Sequence, residues 1–241
     1  MEKQEKIIEM FNQIAPTYDK ANRILSFGVD TSWRKNACCI VLDKLKAKEI
    51  NIVDVACGTG DMMNIWEQMA NKKNIKISSM SGVDPSVGML EVAKEKFPNY
   101  NFITALANDT SLPNDFADII SISYGIRNVV KREEALKEFN KILKPGGYVT
   151  ILEFTKREQG GFISKIRDFY LSKILPKIGG FISKNEAAYT YLPSSIENFL
   201  DKNSFCDELI KAGFEIEVCK GFSFDISTLF IAKKSNKYDR K

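Results

Sequence analysis

The sequence predicts an α/β fold in which a mostly parallel, seven-stranded sheet ends in an antiparallel hairpin and carries helices on both faces. Short apolar runs alternate with segments of helical periodicity between residues 52 and 154. A turn with two glycines, "CGTGD", directly follows the first apolar run. The last two apolar runs are separated only by "SFD". Alternating strands and helices favour a parallel sheet covered on both sides, whereas so short a link favours a hairpin.

Each predicted element has its own signals in the sequence. Strands are predicted at 52–56, 77–84, 100–106, 116–124, 148–154, 214–222 and 226–234. Helices are predicted within 31–48 and at 61–71, 86–96 and 131–143. Pro85 suits the opening of a helix, and "LKPGGY" (143–148) separates the last of these helices from its strand. We expect one domain over 1–241, with a helical cap over 1–48 and a helical lid inserted at about 155–200.

The composition narrows the chemistry that the chain can perform. Of 241 residues, 44% are hydrophobic and 27% charged, which is typical of a globular protein with a sizeable core. The absence of histidine excludes Ser-His-Asp and Cys-His catalysis, and no C-x-x-C pair is present, so we expect no metal site. No apolar run approaches the roughly 20 residues that span a bilayer, and the amphipathic start lacks a signal-peptide pattern. We therefore expect a cytoplasmic protein.

The segment 155–184 differs from the rest of the chain. It holds seven basic and two acidic side chains, and the pentapeptide "GGFIS" begins at both 160 and 179. Helical spacing between the two copies places apolar side chains near one face: Phe162, Ile166, Phe169, Tyr170 and Ile174. This face either packs on the sheet as core or forms a lid against which an apolar substrate lies.

The stretch "DVACGTGD" (54–61) predicts a nucleotide site. In a dinucleotide fingerprint a third glycine would stand where this chain has Met63, which disfavours a nicotinamide cofactor. Ligands of open α/β sheets bind beyond the carboxyl ends of the strands. The candidates at such ends are Gly58, Thr59, Gly60, Asp84, Asn108, Asp109, Ser123 and Tyr124.

Those side chains suit a ligand with a ribose, an adenine and an amino acid. The Asp84 carboxylate can accept hydrogen bonds from both ribose hydroxyls. The Asn108 side-chain oxygen can accept the adenine amine, and the glycine turn lets the amino-acid end approach closely. The alternatives are purely structural: Asp84 as a helix N-cap and Asn108 as a turn residue.

The turn, the aspartate after the second strand and the terminal hairpin resemble class I S-adenosylmethionine-dependent methyltransferases, whose fold is Rossmann-like. Three longer blocks resemble the C-methyltransferases of menaquinone and ubiquinone biosynthesis in particular. These blocks are "FNQIAPTYDKANRILSFGVDTSWRK", "SISYGIRNVVKREEALKEFNKILKPGGYVTILEFTK" and "YTYLPSSIENF". The resemblance covers nearly the whole chain.

The resemblance implies S-adenosylmethionine as the cofactor, held by Thr59, Asp84, Asn108, Asp109 and Ser123. It implies methyl transfer to a ring carbon of a prenylated hydroquinol, either demethylmenaquinol or the benzoquinol precursor of ubiquinol. The family commonly has a small residue in place of Asp109, so we expect a backbone contact there. Its usual C-terminal histidine is absent from "STLFIAKK", so no role assigned to it operates here.

The acceptor side is assigned to residues of the family-specific blocks. Arg127 is expected to stabilise a developing phenolate, and Asn128 to bind the ring oxygens. Tyr18 and Asp19, together with Asn22, would close over the site. The base is Asp19 or a water held by Arg127. Alternatively, Arg127 forms a buried ion pair, with Glu153 or with Asp118.

Partners and competing functions follow from the same features. The basic segment 155–184 predicts peripheral contact with the inner face of a membrane, where a prenylated quinol resides. A homodimer is one option, and the modest charge argues against nucleic acid. The alternatives are a nicotinamide dehydrogenase, a methyltransferase acting on RNA, protein or another small molecule, and a non-catalytic binding module.

Overall fold

The computed structural model describes residues 3–156, 186–223 and 225–235. Its strands are β1 Glu49–Val55, β2 Lys76–Val83, β3 Asn101–Ile103, β4 Ala117–Ser123, β5 Leu143–Glu153, β6 Phe214–Phe222 and β7 Ser227–Lys234. They form one sheet of seven strands in the order β3-β2-β1-β4-β5-β7-β6. All neighbouring pairs from β3 to β5 are parallel, whereas β7 is antiparallel to both β5 and β6. The predicted mostly parallel sheet with an antiparallel end is confirmed.

The helices cover both faces of this sheet. They are α1 Lys3–Ile14, α2 Tyr18–Leu25, α3 Val29–Lys44, α4 Asp61–Lys72, α5 Val87–Lys96, α6 Arg132–Ile142, α7 Glu186–Glu197 and α8 Lys202–Lys211, with 3-10 turns at Ala15–Thr17 and Ile126–Asn128. One apolar core joins α3 and α4 to the sheet around Trp66, and another joins α6 and α8 to it around Phe139 and Phe205. The helices α1 and α2 pack around α5 instead.

The last strand of the sequence lies inside the sheet rather than at its edge. Residues 227–232 of β7 are all buried, whereas β6 alternates between buried or half-buried and exposed positions over much of its length. A strand that is buried at successive positions suits the interior of a sheet, while an alternating strand tolerates the edge position. This explains why the hairpin folds back and inserts β7 between β5 and β6.

Three predicted strand boundaries differ from the structure by three residues or more. The strand β1 begins at Glu49, three residues before the predicted start. The strand β5 begins at Leu143, five residues before the predicted start, because Leu143 pairs with Ala117 before an irregularity in the register. The strand β3 ends at Ile103, since only three residues of β2 pair with it. The repeated "GGFIS" segments and almost all of the basic stretch lie outside the described residues. Within the described ranges, no helix is long and apolar enough to cross a membrane.

Candidate active site

The chain turns sharply where β1 ends. Ala56, Gly58 and Gly60 all have positive φ angles, of 50°, 55° and 84°. Residues with a side chain rarely adopt this left-handed backbone conformation, and two of the three positions carry glycine. A Cβ atom on Gly60 would also lie 2.9 Å from the Phe97 ring. The predicted glycine turn therefore exists, and its second glycine serves the turn and its packing.

The neighbouring strand β4 ends in a similar bend. Tyr124 has a φ of 60°, and its hydroxyl lies 3.0 Å from that of Ser227. A Cβ atom on Gly125 would lie only 2.6 Å from the Cβ of Ala56. The chain segments after β1 and β4 thus approach closely. The order of strands also reverses between β1 and β4, which is where open α/β sheets bind ligands.

The carboxylate of Asp84 lies beside the glycine turn. It is 7% exposed, its Oδ2 accepts the backbone N–H of Gly58 at 2.9 Å, and its Oδ1 accepts that of Ser86 at 2.8 Å. Burial raises the pKa of Asp84 to about 6, and the two N–H donors oppose this shift. The N-cap of α5 is the neighbouring Ser86, whose hydroxyl accepts the Met89 N–H. Asp84 therefore keeps lone pairs for a ligand.

Two cavities adjoin at the carboxyl edge of the sheet. The first has a volume of about 700 Å³ and includes Asp84, Asn108, Asn128 and apolar side chains of α1. The second has a volume of about 410 Å³ and is more polar. The residues that line both cavities are Tyr18, Ala56, Gly58 and Ser123. One elongated ligand can therefore occupy both cavities across the glycine turn.

The second cavity carries opposite charges. Its lining includes Arg34, from α3, and Asp54, from β1. The Nε of Arg34 is buried without a hydrogen-bond partner among the described residues. Oδ1 of Asp54 accepts the Ser121 hydroxyl at 2.5 Å, and burial raises the pKa of Asp54 to about 7. A guanidinium and a carboxyl group in one cavity match the carboxylate and ammonium of an amino acid.

The two residues predicted for the adenine side, Asn108 and Asp109, differ in their position relative to the cavities. Asn108 lines the first cavity, and its Nδ2 donates to Glu134 at 3.2 Å, which leaves the amide oxygen for a ligand donor. Asp109 is exposed, and its backbone N–H donates to the Leu106 carbonyl at 3.1 Å. Neither Asp109 nor Gly60 is among the described residues that line the two cavities.

Asp19 and Thr59 connect the N-terminal helices to the glycine turn. The Thr59 hydroxyl donates to Oδ1 of Asp19 at 2.5 Å, and Lys96 pairs with Oδ2 at 2.7 Å. Both Asp19 and Thr59 line the second cavity, together with Asn22. Tyr18 lies at the junction of the two cavities, and burial raises the pKa of its hydroxyl. These contacts attach the N-terminal segment to the glycine turn.

Arg127 forms the ion pair with Glu153 that the sequence left as one alternative. Nη1 of Arg127 lies 2.6 Å from Glu153, and it also donates to the Tyr124 carbonyl at 2.7 Å. The side chains of Arg127 and Glu153 are 7% and 0% exposed. The other alternative is not seen, because Asp118 pairs with Lys144.

Asn128 lies next to this pair and faces the first cavity. Its Oδ1 accepts the hydroxyl of Tyr191, on α7, at 3.1 Å. The Nε of Arg127 donates to Ser195 on the same helix at 3.2 Å. These contacts attach α7 to the turn after β4, whereas Asp19 and Asn22, also predicted for the acceptor side, line the second cavity. Arg127 itself is not among the described residues that line either cavity.

Four polar residues of the second cavity are not among the residues predicted for the site: Asp30, Arg34, Asp54 and Asp61. Arg34 belongs to the segment "TSWRK", and Asp54 opens "DVACGTGD". A basic residue on a helix and an aspartate within a strand carry no signal of their own. Only the fold brings both into one cavity. Among the described residues, no cluster of His, Cys, Asp or Glu could hold a metal ion.

Comparison with known proteins agrees with this geometry. Residues 1–234 match the model of the ubiE/COQ5 methyltransferase family. A ubiquinone/menaquinone biosynthesis C-methyltransferase UbiE of Campylobacter jejuni is 61% identical over 97% of this chain and 100% of its own length. A demethylmenaquinone methyltransferase of Chlorobaculum tepidum is 35% identical over 95% of this chain and 92% of its own length.

Solved structures share the fold. A SAM-dependent methyltransferase of Aquifex aeolicus superposes with a TM-score of 0.57 at 17% identity, over 81% of this chain and 88% of that one. An S-adenosylmethionine-dependent methyltransferase of Mesorhizobium loti also gives a TM-score of 0.57 at 17% identity, over 80% and 95%. These similarities show the fold alone. From the family match and its close relatives, the chain belongs to the ubiE/COQ5 methyltransferase family and is an S-adenosylmethionine-dependent methyltransferase.

Proposed function

We propose that this enzyme transfers a methyl group from S-adenosylmethionine to a ring carbon of a prenylated hydroquinol in quinone biosynthesis. The candidate acceptors are demethylmenaquinol and the benzoquinol precursor of ubiquinol. The observation that carries the proposal is the single cleft formed by two cavities around Gly58 and Ser123. The first cavity suits the nucleoside of the cofactor, and the more polar second cavity suits its amino-acid end. The names of the relatives support the acceptor class.

In the first cavity the cofactor's nucleoside would lie between Asp84 and Asn108. Asp84 would accept the ribose hydroxyls, and the Asn108 amide oxygen the adenine amine. A contact from the Asp109 backbone would require its N–H to exchange the bond to the Leu106 carbonyl for one to the adenine ring. When bound, S-adenosylmethionine supplies a methyl group on a positively charged sulfur. Ser123, which lines both cavities, would lie between the nucleoside and the amino-acid end of the cofactor.

In the second cavity the amino-acid end would meet Arg34 and Asp54. The buried Nε of Arg34 forms no hydrogen bond with a described residue and lies 3.7 Å from Oδ2 of Asp30, so it can donate to the carboxylate of the cofactor. Asp54 would bind the ammonium through its carboxylate. Thr59 and the glycines Gly58 and Gly60 would shape the turn around this end. The residues present therefore fit the cofactor.

The acceptor ring would lie in the first cavity, between Tyr18 and Asn128. Tyr191 occupies the Asn128 oxygen, so the amide nitrogen is free to donate to a ring oxygen. Apolar side chains of α1, Ile7 and Phe11 among them, line this cavity and exclude water from the ring.

The ring carbon would gain the methyl group as the methyl–sulfur bond breaks, with S-adenosylhomocysteine as the leaving group, and would give up its hydrogen as a proton. Loss of a hydroxyl proton makes the ring more electron-rich, so one base and one phenolate-stabilising group are needed. Nη2 of Arg127 has no hydrogen bond to any described residue, and we assign it to the phenolate, directly or through water. Both oxygens of Asp19 are engaged, by Thr59 and Lys96. These contacts favour a water held by Arg127 as the base over Asp19.

The same proposal includes the organisation of the chain. Residues 1–241 would form one domain, in which α1–α3 (within 1–48) are the cap and about 155–200 the lid. The contact of Tyr191 with Asn128 supports a lid that closes at the acceptor end. We propose a cytoplasmic enzyme that meets its acceptor at the inner face of the membrane; a homodimer is compatible with this.

Anaerobic mass spectrometry of the acceptor tests the reaction. The purified chain is incubated with S-adenosylmethionine and either reduced demethylmenaquinol or a reduced ubiquinol precursor, with the oxidised quinones as controls. We expect one added methyl group on a reduced ring only, and the ring that reacts identifies the quinone class. If neither ring gains mass while S-adenosylhomocysteine still binds, the hydroquinol assignment is wrong and another small-molecule acceptor applies.

A further inference from the structure

The turn between α2 and α3 carries an exposed apolar tip. Phe27 is 84% exposed, more than any other large hydrophobic side chain of the described residues. Ile24 and Val29, on either side of it, are 44% and 40% exposed. We call these three residues the apolar tip. Water-exposed apolar groups that cluster on a protrusion are typical of surfaces that another phase or molecule covers.

Hydrogen bonds and an ion pair fix the turn that carries the apolar tip. Phe27 has a φ of 52°, which is unfavourable for an aromatic residue, and Gly28 follows it with a φ of 73°. Ser26 donates to Asp30 at 2.7 Å, and Arg23 pairs with the same carboxylate at 2.7 Å. The backbone N–H of Gly28 donates to the Arg23 carbonyl at 3.0 Å. These bonds hold the phenyl ring outward against the conformational preference of its backbone.

The charges around the apolar tip suit an anionic surface. The side chain of Asp30 is only 10% exposed and is turned toward Arg23 and Ser26. Lys20 is exposed, lies one helical turn before Ile24 on the same side of α2, and forms no ion pair with any described residue. An exposed aromatic group beside an unpaired lysine is the combination that interfacial anchors use.

We propose that the apolar tip inserts into the interfacial region of an anionic lipid bilayer and so brings the cleft to its acceptor. This inference rests on the proposed function, because a prenylated hydroquinol resides in the bilayer. The helix α2 joins the apolar tip to Tyr18 in the cleft, and its eight residues span about 12 Å. Insertion of Phe27 would therefore hold the cleft within a prenyl tail's reach of the lipid.

Vesicle binding tests the apolar tip separately from methyl transfer. The full chain is sedimented with vesicles of phosphatidylcholine and phosphatidylglycerol in equal parts. The variant is Phe27→Asn, because asparagine tolerates a positive φ better than phenylalanine and the turn should fold. The control is Ile210→Asn, which removes a 53% exposed apolar side chain from α8. We expect about tenfold weaker partition for Phe27→Asn and no change for Ile210→Asn.

A further variant and two further measurements identify what the apolar tip contacts. Lys20→Gln should weaken binding to the anionic vesicles and leave binding to pure phosphatidylcholine unchanged. S-adenosylhomocysteine affinity without vesicles should be the same in every variant, so loss of it in Phe27→Asn would instead place Phe27 in the cofactor site. Equal vesicle binding by Phe27→Asn and the parent chain would overturn the proposal. So would a shift from dimer to monomer in Phe27→Asn, because the apolar tip would then contact a second copy.

Discussion

The Asp84 carboxylate accepts the backbone N–H of Gly58 at 2.9 Å, across the gap between the ends of β2 and β1. This bond joins the strand-two aspartate to the glycine turn. It fixes the position of the carboxylate relative to both cavities, because Gly58 lines both of them. The residue proposed for the ribose therefore also holds the turn proposed for the amino-acid end.

Replacing Asp84 by asparagine should weaken cofactor binding. The amide keeps the shape of the side chain but loses the charge that strengthens hydrogen bonds to ribose hydroxyls. We expect a loss of about 2 kcal/mol, or roughly thirtyfold in S-adenosylhomocysteine affinity by calorimetry. Asp43→Asn, on the exposed side of α3, is the matched control and should bind normally. Unchanged affinity in Asp84→Asn would remove Asp84 from the ribose site.

Cofactor binding should depend on pH. Burial raises the pKa of Asp84 to about 6, and only the ionised carboxylate accepts two hydroxyl protons. S-adenosylhomocysteine affinity should therefore rise as the pH increases through about 6. The Asp84→Asn variant should lose this inflection, and Asp54, with a pKa raised to about 7, should supply another. A flat profile in the parent chain between about pH 5 and 8 would contradict both assignments.

Replacing Asp54 by asparagine should stabilise the chain without ligand while weakening cofactor binding. The pKa of Asp54 is about 7 in the folded chain and 3.8 in the unfolded chain. Between these two pH values the folded chain therefore binds more protons than the unfolded chain. The free energy of unfolding thus falls as the pH rises from about 4 to 7. Near pH 8, Asp54→Asn should melt at least a few degrees higher in calorimetry, since no buried charge is left. A lower Tm would show that the Ser121 contact outweighs the burial penalty.

Replacing Arg34 by methionine should affect only ligands with an amino-acid end. Methionine fills similar space but supplies no donor for the carboxylate. S-adenosylhomocysteine binding should weaken by about 2 kcal/mol, whereas binding of 5′-methylthioadenosine, which lacks that end, should stay unchanged. Equal losses for both ligands would mean that Arg34 only supports the fold.

Substitutions in the Arg127–Glu153 pair distinguish a structural role of Arg127 from a catalytic role. Glu153→Met alone leaves a buried guanidinium without its partner, so the free energy of unfolding should drop by about 3–5 kcal/mol in urea denaturation. The double variant Arg127→Met with Glu153→Met removes both charges and should recover most of that stability. Its methyl-transfer rate should stay low, because no phenolate partner is left. Recovery of activity together with stability would leave Arg127 a structural residue only.

Much of the fold could be predicted because its signals are local. The turn residues Gly58 and Gly60 and the alternation of apolar runs with helical segments all lie within short windows of sequence. The inserted position of β7 could not be predicted, since it depends on which strand is better buried once the sheet has formed. The start of β5 at Leu143 likewise depends on pairing with Ala117, far away in the chain.

The sequence by itself determined the class of fold, the glycine turn, the aspartate at the end of β2 and the resemblance to quinone C-methyltransferases. These features depend on contiguous residues or on a regular spacing along the chain. The tertiary structure alone decided that Arg34 and Asp54 share a cavity and that Arg127 pairs with Glu153 rather than Asp118. Those contacts join residues far apart in sequence, and a buried charge takes its partner from the fold around it rather than from its neighbours along the chain.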